Sequence, residues 1–204
     1  MKQGRYHWRP ILKNKKYVGQ PKNSKWDTYS SILNMIHKYL PPDSVEEFDN
    51  ATDENKCWLI GHFEKEETAV RKGSVGFVFT TKRLINNAVC CVQEQGSSLT
   101  AMVDGTYKVS KHGWTLANIG VQCTYYNNNT HKYTKSFMLV ACCFMRSKTI
   151  NAYQEFASLV LSKIFKYKST NFVLTFAIAD YCEAIANGLD QAWPGVSILM
   201  YWPH

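Results

Sequence analysis

Two aspartates stand where a metal-dependent phosphoryl-transfer site could be built. Asp104 sits mid-strand in AMVDGTYKV, on the polar face of an alternating stretch, and Asp180 closes the apolar run in FAIADYCEAI, 180 − 104 = 76 residues later. If their strands are neighbours, the two carboxylates converge. Hard oxygen ligands of this kind can hold a pair of Mg²⁺ or Mn²⁺ ions about 4 Å apart, one activating a water or 3′-hydroxyl and the other steadying the leaving oxygen. No side-chain nucleophile is then needed. Each aspartate also has a purely structural reading. Asp104-Gly105 is a common hairpin turn, although a turn there would cut one continuous alternation into two stubs. Asp180 with Glu183 has the D-x-x-E spacing of a capping box, and a cap position also points a carboxylate out of the carboxyl edge of a sheet, where sites in open α/β sheets lie.

The elements that must position this pair are clearest after residue 96. Leu99 to Val109 alternates, with Ala101, Val103, Tyr107 and Val109 on one face and Met102, Asp104, Thr106 and Lys108 on the other. After Lys111-His112-Gly113, the run from Ala117 to Tyr125 alternates again and reads as the second arm of a hairpin. The Asn127–Thr130 turn leads to a third strand, FMLVACCFM. Residues 149–166 space Ile150, Tyr153, Ala157, Val160 and Ile164 by threes and fours, the mark of an amphipathic helix. A parallel strand is expected next at 172–179, apolar throughout, followed by a short helix in YCEAIANGLDQ, a Trp193-Pro194-Gly195 turn and a last strand in VSILMYW. Three antiparallel strands followed by helix, strand, helix and strand make an α/β domain.

Upstream, the spacing predicts a helix over 25–40, an acidic loop over 41–56, strands in CWLIGHF and SVGFVFTT, and a helix in KRLINNAVCC. The expected organisation is a basic irregular arm at 1–25, a small α+β region at 26–95, and a core at 96–204. The chain is 204 residues long with a formal net charge of +8. Its first 25 residues carry eight Lys and Arg and no acid, compatible with nucleic-acid contact or with a merely solvated tail. Seven cysteines without C-x-x-C spacing read as reduced, mostly buried small hydrophobes, not as a disulfide framework or zinc module. Lacking a run of eighteen apolar residues or a signal-peptide centre, the chain is expected to be intracellular, with no membrane partner.

Several short motifs, taken in order, resemble the Mutator-like element (MULE) transposase domain over residues 75–204. MVDGTYKV looks like the family's first-acid strand, AIADYCEAIANGLDQAWPG like its second-acid strand, helix and Trp-Pro turn, and ILMYWPH like its C-x-x-H strand, while FVFTTKRLINNAV is similar to the segment that often precedes the first acid. The resemblance implies a ribonuclease-H-like mixed sheet with the first and fourth core strands side by side. It also implies a DDE-type DNA transposase acting in the nucleus, with Asp104 and Asp180 as the first two metal-binding acids of a two-metal Mg²⁺ or Mn²⁺ site. Its partners would be transposon ends and target DNA, and a second copy of the chain in a homo-oligomer.

The family's third acid lies beyond a helical insertion further along, so the chain is expected to be the front part of such an enzyme, weakly active or inactive. A non-catalytic DNA-binding or interaction module derived from a transposase is the other expectation. Tyr201 stands where the family pattern has Cys, while His204 keeps the His and is either an accessory ligand or a solvent-exposed end. Glu155 lies on the helix where cellular ribonucleases H place a metal-binding Glu; its position off the apolar stripe equally suits a solvated face. His112 and Cys182 lie close in sequence to the two acids, with spacing that suggests no defined ligand set.

Overall fold

A computed structural model describes residues 39–65, 74–96, 99–106 and 114–201. The basic arm, nearly all of the helix expected over 25–40, His112 and His204 lie outside the described residues. The elements run α1 (Val45–Asn50), β1 (Trp58–Lys65), β2 (Ser74–Thr80), α2 (Lys82–Gln95), β3 (Thr100–Thr106), β4 (Thr115–Asn127), β5 (Lys132–Met145), α3 (Ile150–Lys168), β6 (Phe176–Asp180), α4 (Glu183–Ala192) and β7 (Ser197–Tyr201). The seven strands form one mixed sheet in the order β1-β2-β5-β4-β3-β6-β7. Pairing is antiparallel from β1 to β3 and parallel from β3 through β6 to β7.

Alternation divides the sheet into two faces. Ala101 and Val103 of β3, Ala117 and Ile119 of β4, and Ala177 and Ala179 of β6 are buried in one core with the apolar faces of α2, α3 and α4. Residues of opposite parity, Met102, Asp104, Asn118, Ile178 and Asp180, line an open cleft instead. α3 forms where its stripe of Tyr153, Phe156, Ala157, Val160, Ile164 and Tyr167 can be buried. It starts at a Thr149 cap whose side chain accepts from the Ala152 N–H, and ends with Lys166 and Lys168 against its negative pole. α3 carries the chain across the sheet from β5 to β6, which adds beside β3.

Three details differ from the sequence reading. Residues 41–56, expected as an acidic loop, contain α1. Ser44 caps it by accepting from the Glu47 N–H, and the Glu47 carboxylate accepts from the Asp43 N–H. Lys82, almost buried, donates to the carbonyls of Asp49 (2.6 Å) and Ala51 (2.9 Å) at the C-terminal end of α1. The third core strand begins at Lys132, not Phe137, because the polar residues 132–136 pair with 123–127 across the hairpin. Conversely, 172–175 is irregular although Phe172 and Leu174 are buried, so apolar content there reflects burial without strand pairing. The sheet is continuous between the segments before and after residue 95, since Gly76–Phe79 of β2 pair with Cys142–Met145 of β5.

The cysteines are not all thiols. Cys91 of α2 and Cys123 of β4 form a disulfide across a separation of 32 residues, while Cys57, Cys90, Cys142, Cys143 and Cys182 are free. The bond ties α2 to the sheet. Closing a loop of that length removes denatured-state entropy worth roughly 3 to 4 kcal/mol. A urea melt is therefore expected to shift to lower denaturant in reductant, and Cys91→Ala to show the same loss without it. Thiol titration of the unfolded, unreduced chain should count 7 − 2 = 5 groups. A count of seven would mean that the pair is reduced.

Candidate functional site

Asp104 lies within β3 opposite Asn118 of β4, so it is a strand residue and not part of a hairpin turn. Asp180 is the last residue of β6. It does not cap α4: the cap position is Cys182, and no side chain makes a cap hydrogen bond there. The D-x-x-E spacing is thus incidental.

β3 and β6 are parallel neighbours in register up to Val103 and Ala179, which sets Asp104 and Asp180 level with each other at the next position. Adjacent strands are about 4.8 Å apart, and both side chains leave the same face. Partial burial, then the side-chain interaction with Asp104, then its negative charge all raise the pKa of Asp180 above its ordinary 3.8, while Lys148 works in the opposite direction.

The pair opens into a cleft of about 490 Å³. Asn118 lies beside Asp104, and Tyr201 of β7 pairs with Asp180 in register. Met102, Ile178 and Phe137 make an apolar wall. Phe137 can lean in because Gly120 lacks a side chain: a Cβ there would run into the Phe137 ring. Below the sheet, Lys148 donates to the Gly105 carbonyl at 3.0 Å. The Tyr153 hydroxyl fills the space a Cβ on Gly105 would need, at 2.7 Å. Gly105 thus lets α3 press directly against the strand that presents Asp104.

The structure brings Asp104 and Asp180 together at the cleft. Among the described residues, no group of three His, Cys, Asp or Glu side chains could hold a metal ion, so Glu155, half-buried on α3, does not join the pair. Tyr201, where the family pattern has Cys, lines the cleft as an exposed phenol. Cys182 sits two residues past Asp180, half-buried against the core.

Asn118, Phe137 and Lys148 were not identifiable as site residues in advance. Asn118 is one of several polar residues alternating along its strand. The place of Phe137 depends on a bulge at Ile119/Gly120, and Lys148 reaches the Gly105 carbonyl from a loop behind the strand. No helix among the described residues is long and apolar enough to cross a membrane.

Two adjacent carboxyls and an amide at an open, apolar-walled cleft form a donor set suited to a hard divalent cation. A search of curated proteins and a search of solved structures each return no significant match. The family model for the MULE transposase domain matches residues 100–202, which takes in the strand of Asp104, the hairpin, α3, the strand of Asp180, α4 and the strand of Tyr201.

Proposed function

The chain belongs to the MULE transposase domain family, and from that membership we propose a DNA transposase function of the DDE type, with metal-dependent strand cleavage and transfer seated at Asp104 and Asp180. The observation that carries this reading is the level pair of carboxyls on neighbouring parallel strands at the mouth of a cleft. The strand order β5-β4-β3-β6-β7, with α3 crossing between the antiparallel and parallel parts, supports a ribonuclease-H-like arrangement for the core.

The residues present fit a divalent ion. Two carboxyls side by side are like charges at neutral pH, and partial burial together with Asp104 raises the pKa of Asp180, a pairing that a counter-charge would relieve. Asp104 and Asp180 would hold Mg²⁺ or Mn²⁺, and the bound metal would polarise a phosphodiester and make water or a 3′-hydroxyl a better nucleophile. The chain's own residues contribute position and environment. Asn118 offers an amide beside the carboxylates, Lys148 supplies positive charge from behind, and the Met102–Ile178–Phe137 wall lowers the local dielectric.

A second reading is favoured by the presence of two carboxyls and not three among the described residues. On that reading the domain binds DNA ends without cutting them, a third acid having to come from outside these residues. Purified protein incubated with DNA ends and Mg²⁺ or Mn²⁺ separates the two. Metal-dependent nicking, even slow, that EDTA abolishes supports the enzyme. DNA binding with no product supports the non-catalytic module, and neither binding nor cleavage would remove both.

A further inference from the structure

The β4–β5 hairpin is longer than the sheet that anchors it. β3 pairs with β4 only as far as Gln122, and β2 reaches β5 only from Cys142 onward. Residues Cys123–Asn127 and Lys132–Ser136 therefore pair only with each other, as a two-stranded ribbon projecting past the sheet. Its chemistry is unusual for a solvent-exposed element. The chain has no acidic residue between Asp104 and Glu155, and this ribbon carries Lys132, Lys135 and His131 together with Tyr125, Tyr126 and Tyr133.

Register places part of that chemistry in line with the cleft. Tyr126 pairs with Tyr133, their rings meeting edge to face with centroids 5.3 Å apart. Tyr133, Lys135 and Phe137 alternate along β5 and so share one face, and Phe137 is already a wall of the carboxylate cleft. Tyr133 is 77% exposed and Tyr126 48%, which leaves two aromatic rings in water with no core to fill. A row of ring, cation and ring thus leads from the candidate site to the ribbon tip.

We propose that this ribbon is a DNA-holding arm. It grips the duplex flanking the phosphodiester presented to Asp104 and Asp180, with Lys132 and Lys135 on phosphates and the Tyr126–Tyr133 pair against the groove edge. The assignment rests on the DNA reading above and extends it to a surface outside the carboxylate cleft. A two-stranded ribbon fits a DNA groove, lysines release counterions from phosphates, and exposed aromatic rings pack on bases and sugars. Asn118, level with Asp104, and Tyr126 are eight positions apart on β4, a distance of roughly 25 Å at about 3.3 Å per residue. At about 3.4 Å per base pair, the tip should contact the duplex about seven base pairs from the reacting phosphate.

The test is fluorescence anisotropy with a labelled DNA duplex in EDTA, so that metal and cleavage play no part. The Lys132→Ala/Lys135→Ala variant should bind about tenfold more weakly and flatten the slope of log affinity against log salt by about 2. Tyr126→Ala/Tyr133→Ala should weaken binding about tenfold with the slope unchanged. Lys135→Glu, a single exposed replacement that leaves the tyrosine pair in place, should weaken binding more than Lys135→Ala. Lys166→Ala on α3, one positive charge lost away from the ribbon, should stay within about twofold. Ribbon variants that lose binding while no cleavage is ever detected would keep the arm and retire the catalytic reading. Unchanged affinity and slope in both double variants and in Lys135→Glu would overturn the arm, as would wild-type binding restricted to single strands.

Discussion

Asp104→Asn and Asp180→Asn are each expected to lower metal-dependent DNA cleavage by about a hundredfold or more, and to make the metal-free protein more stable. The first effect follows from the proposed role of each carboxylate as one of two metal ligands. The second follows from the electrostatics of the pair. The pKa of Asp180 is raised in the folded state by burial and by Asp104, so folding binds its proton more tightly than the unfolded chain does. That contribution to stability is fully present below the ordinary value of 3.8 and is lost as pH rises through the higher folded value. At neutral pH the charged pair opposes folding. Like charges directly opposite on neighbouring strands cost about 0.2 to 1 kcal/mol, so Asp180→Asn in EDTA should raise Tm by roughly 1 to 3 °C. The gain should fade as the buffer is taken down toward pH 3 to 4.

Metal reverses the order. A divalent ion at a concentration of about 100 Kd adds about 2.7 kcal/mol to the folded state, or roughly 5 to 10 °C for a chain of this size. Wild type should show that rise with Mn²⁺, and neither Asn variant should. Scanning fluorimetry over a pH series, with EDTA and with Mn²⁺, reads both effects. Asn variants that are less stable than wild type without metal and respond to Mn²⁺ equally would mean that the carboxyls serve the fold and not an ion.

How much of this was visible in the sequence depends on how local each determinant is. The face of β3 that carries Asp104 was legible because parity along a strand is fixed by the backbone: once Ala101 and Val103 are assigned to the core, Met102 and Asp104 must point the other way. Asp180 was legible as the end of an apolar run. Whether it capped the next helix was not, because D-x-x-E describes a cap and a strand-end site equally well, and only the start of α4 at Glu183 separates them.

The rest depends on pairings between distant residues. The bulge at Ile119/Gly120 sets which β5 residue overhangs the cleft, and no property of Phe137 itself announces that it will be the one. The disulfide joins residues 32 apart on a helix and a strand whose approach is set by the core. The join of the β1–β2 hairpin to β5 is likewise a long-range pairing. α1 is the instructive case: Ser44 and Glu47 did carry a capping signal, but six residues are too few for a helix to persist on their own. Its existence depends on what it packs against.

That dependence makes Phe48→Ala the second large effect expected. Phe48 is the buried residue of α1, fully enclosed, stacked on Tyr167 of α3 at 4.5 Å and tilted against Trp58 of β1 at 5.6 Å. The Lys168 ammonium lies 4.7 Å from its ring centre, and the Tyr167 hydroxyl donates to the Pro42 carbonyl at 2.7 Å. Removing the ring leaves a cavity among large side chains that cannot collapse together, at a cost of about 3 to 5 kcal/mol and a fall in Tm of roughly 10 °C. Lys168→Ala, which breaks a partly exposed ion pair with Asp49, should change Tm little by comparison. Because Phe48 belongs to the same core as Val103, Ala179 and the α3 stripe, the loss should appear as one cooperative transition at lower temperature and not as local fraying. An unchanged main transition, with residues 41–56 merely becoming sensitive to protease, would instead make α1 a cover laid on a core that stands without it. The cleft residues make no use of Phe48, so Mn²⁺ should raise Tm in this variant by as much as in wild type, which separates damage to the fold from damage to the site.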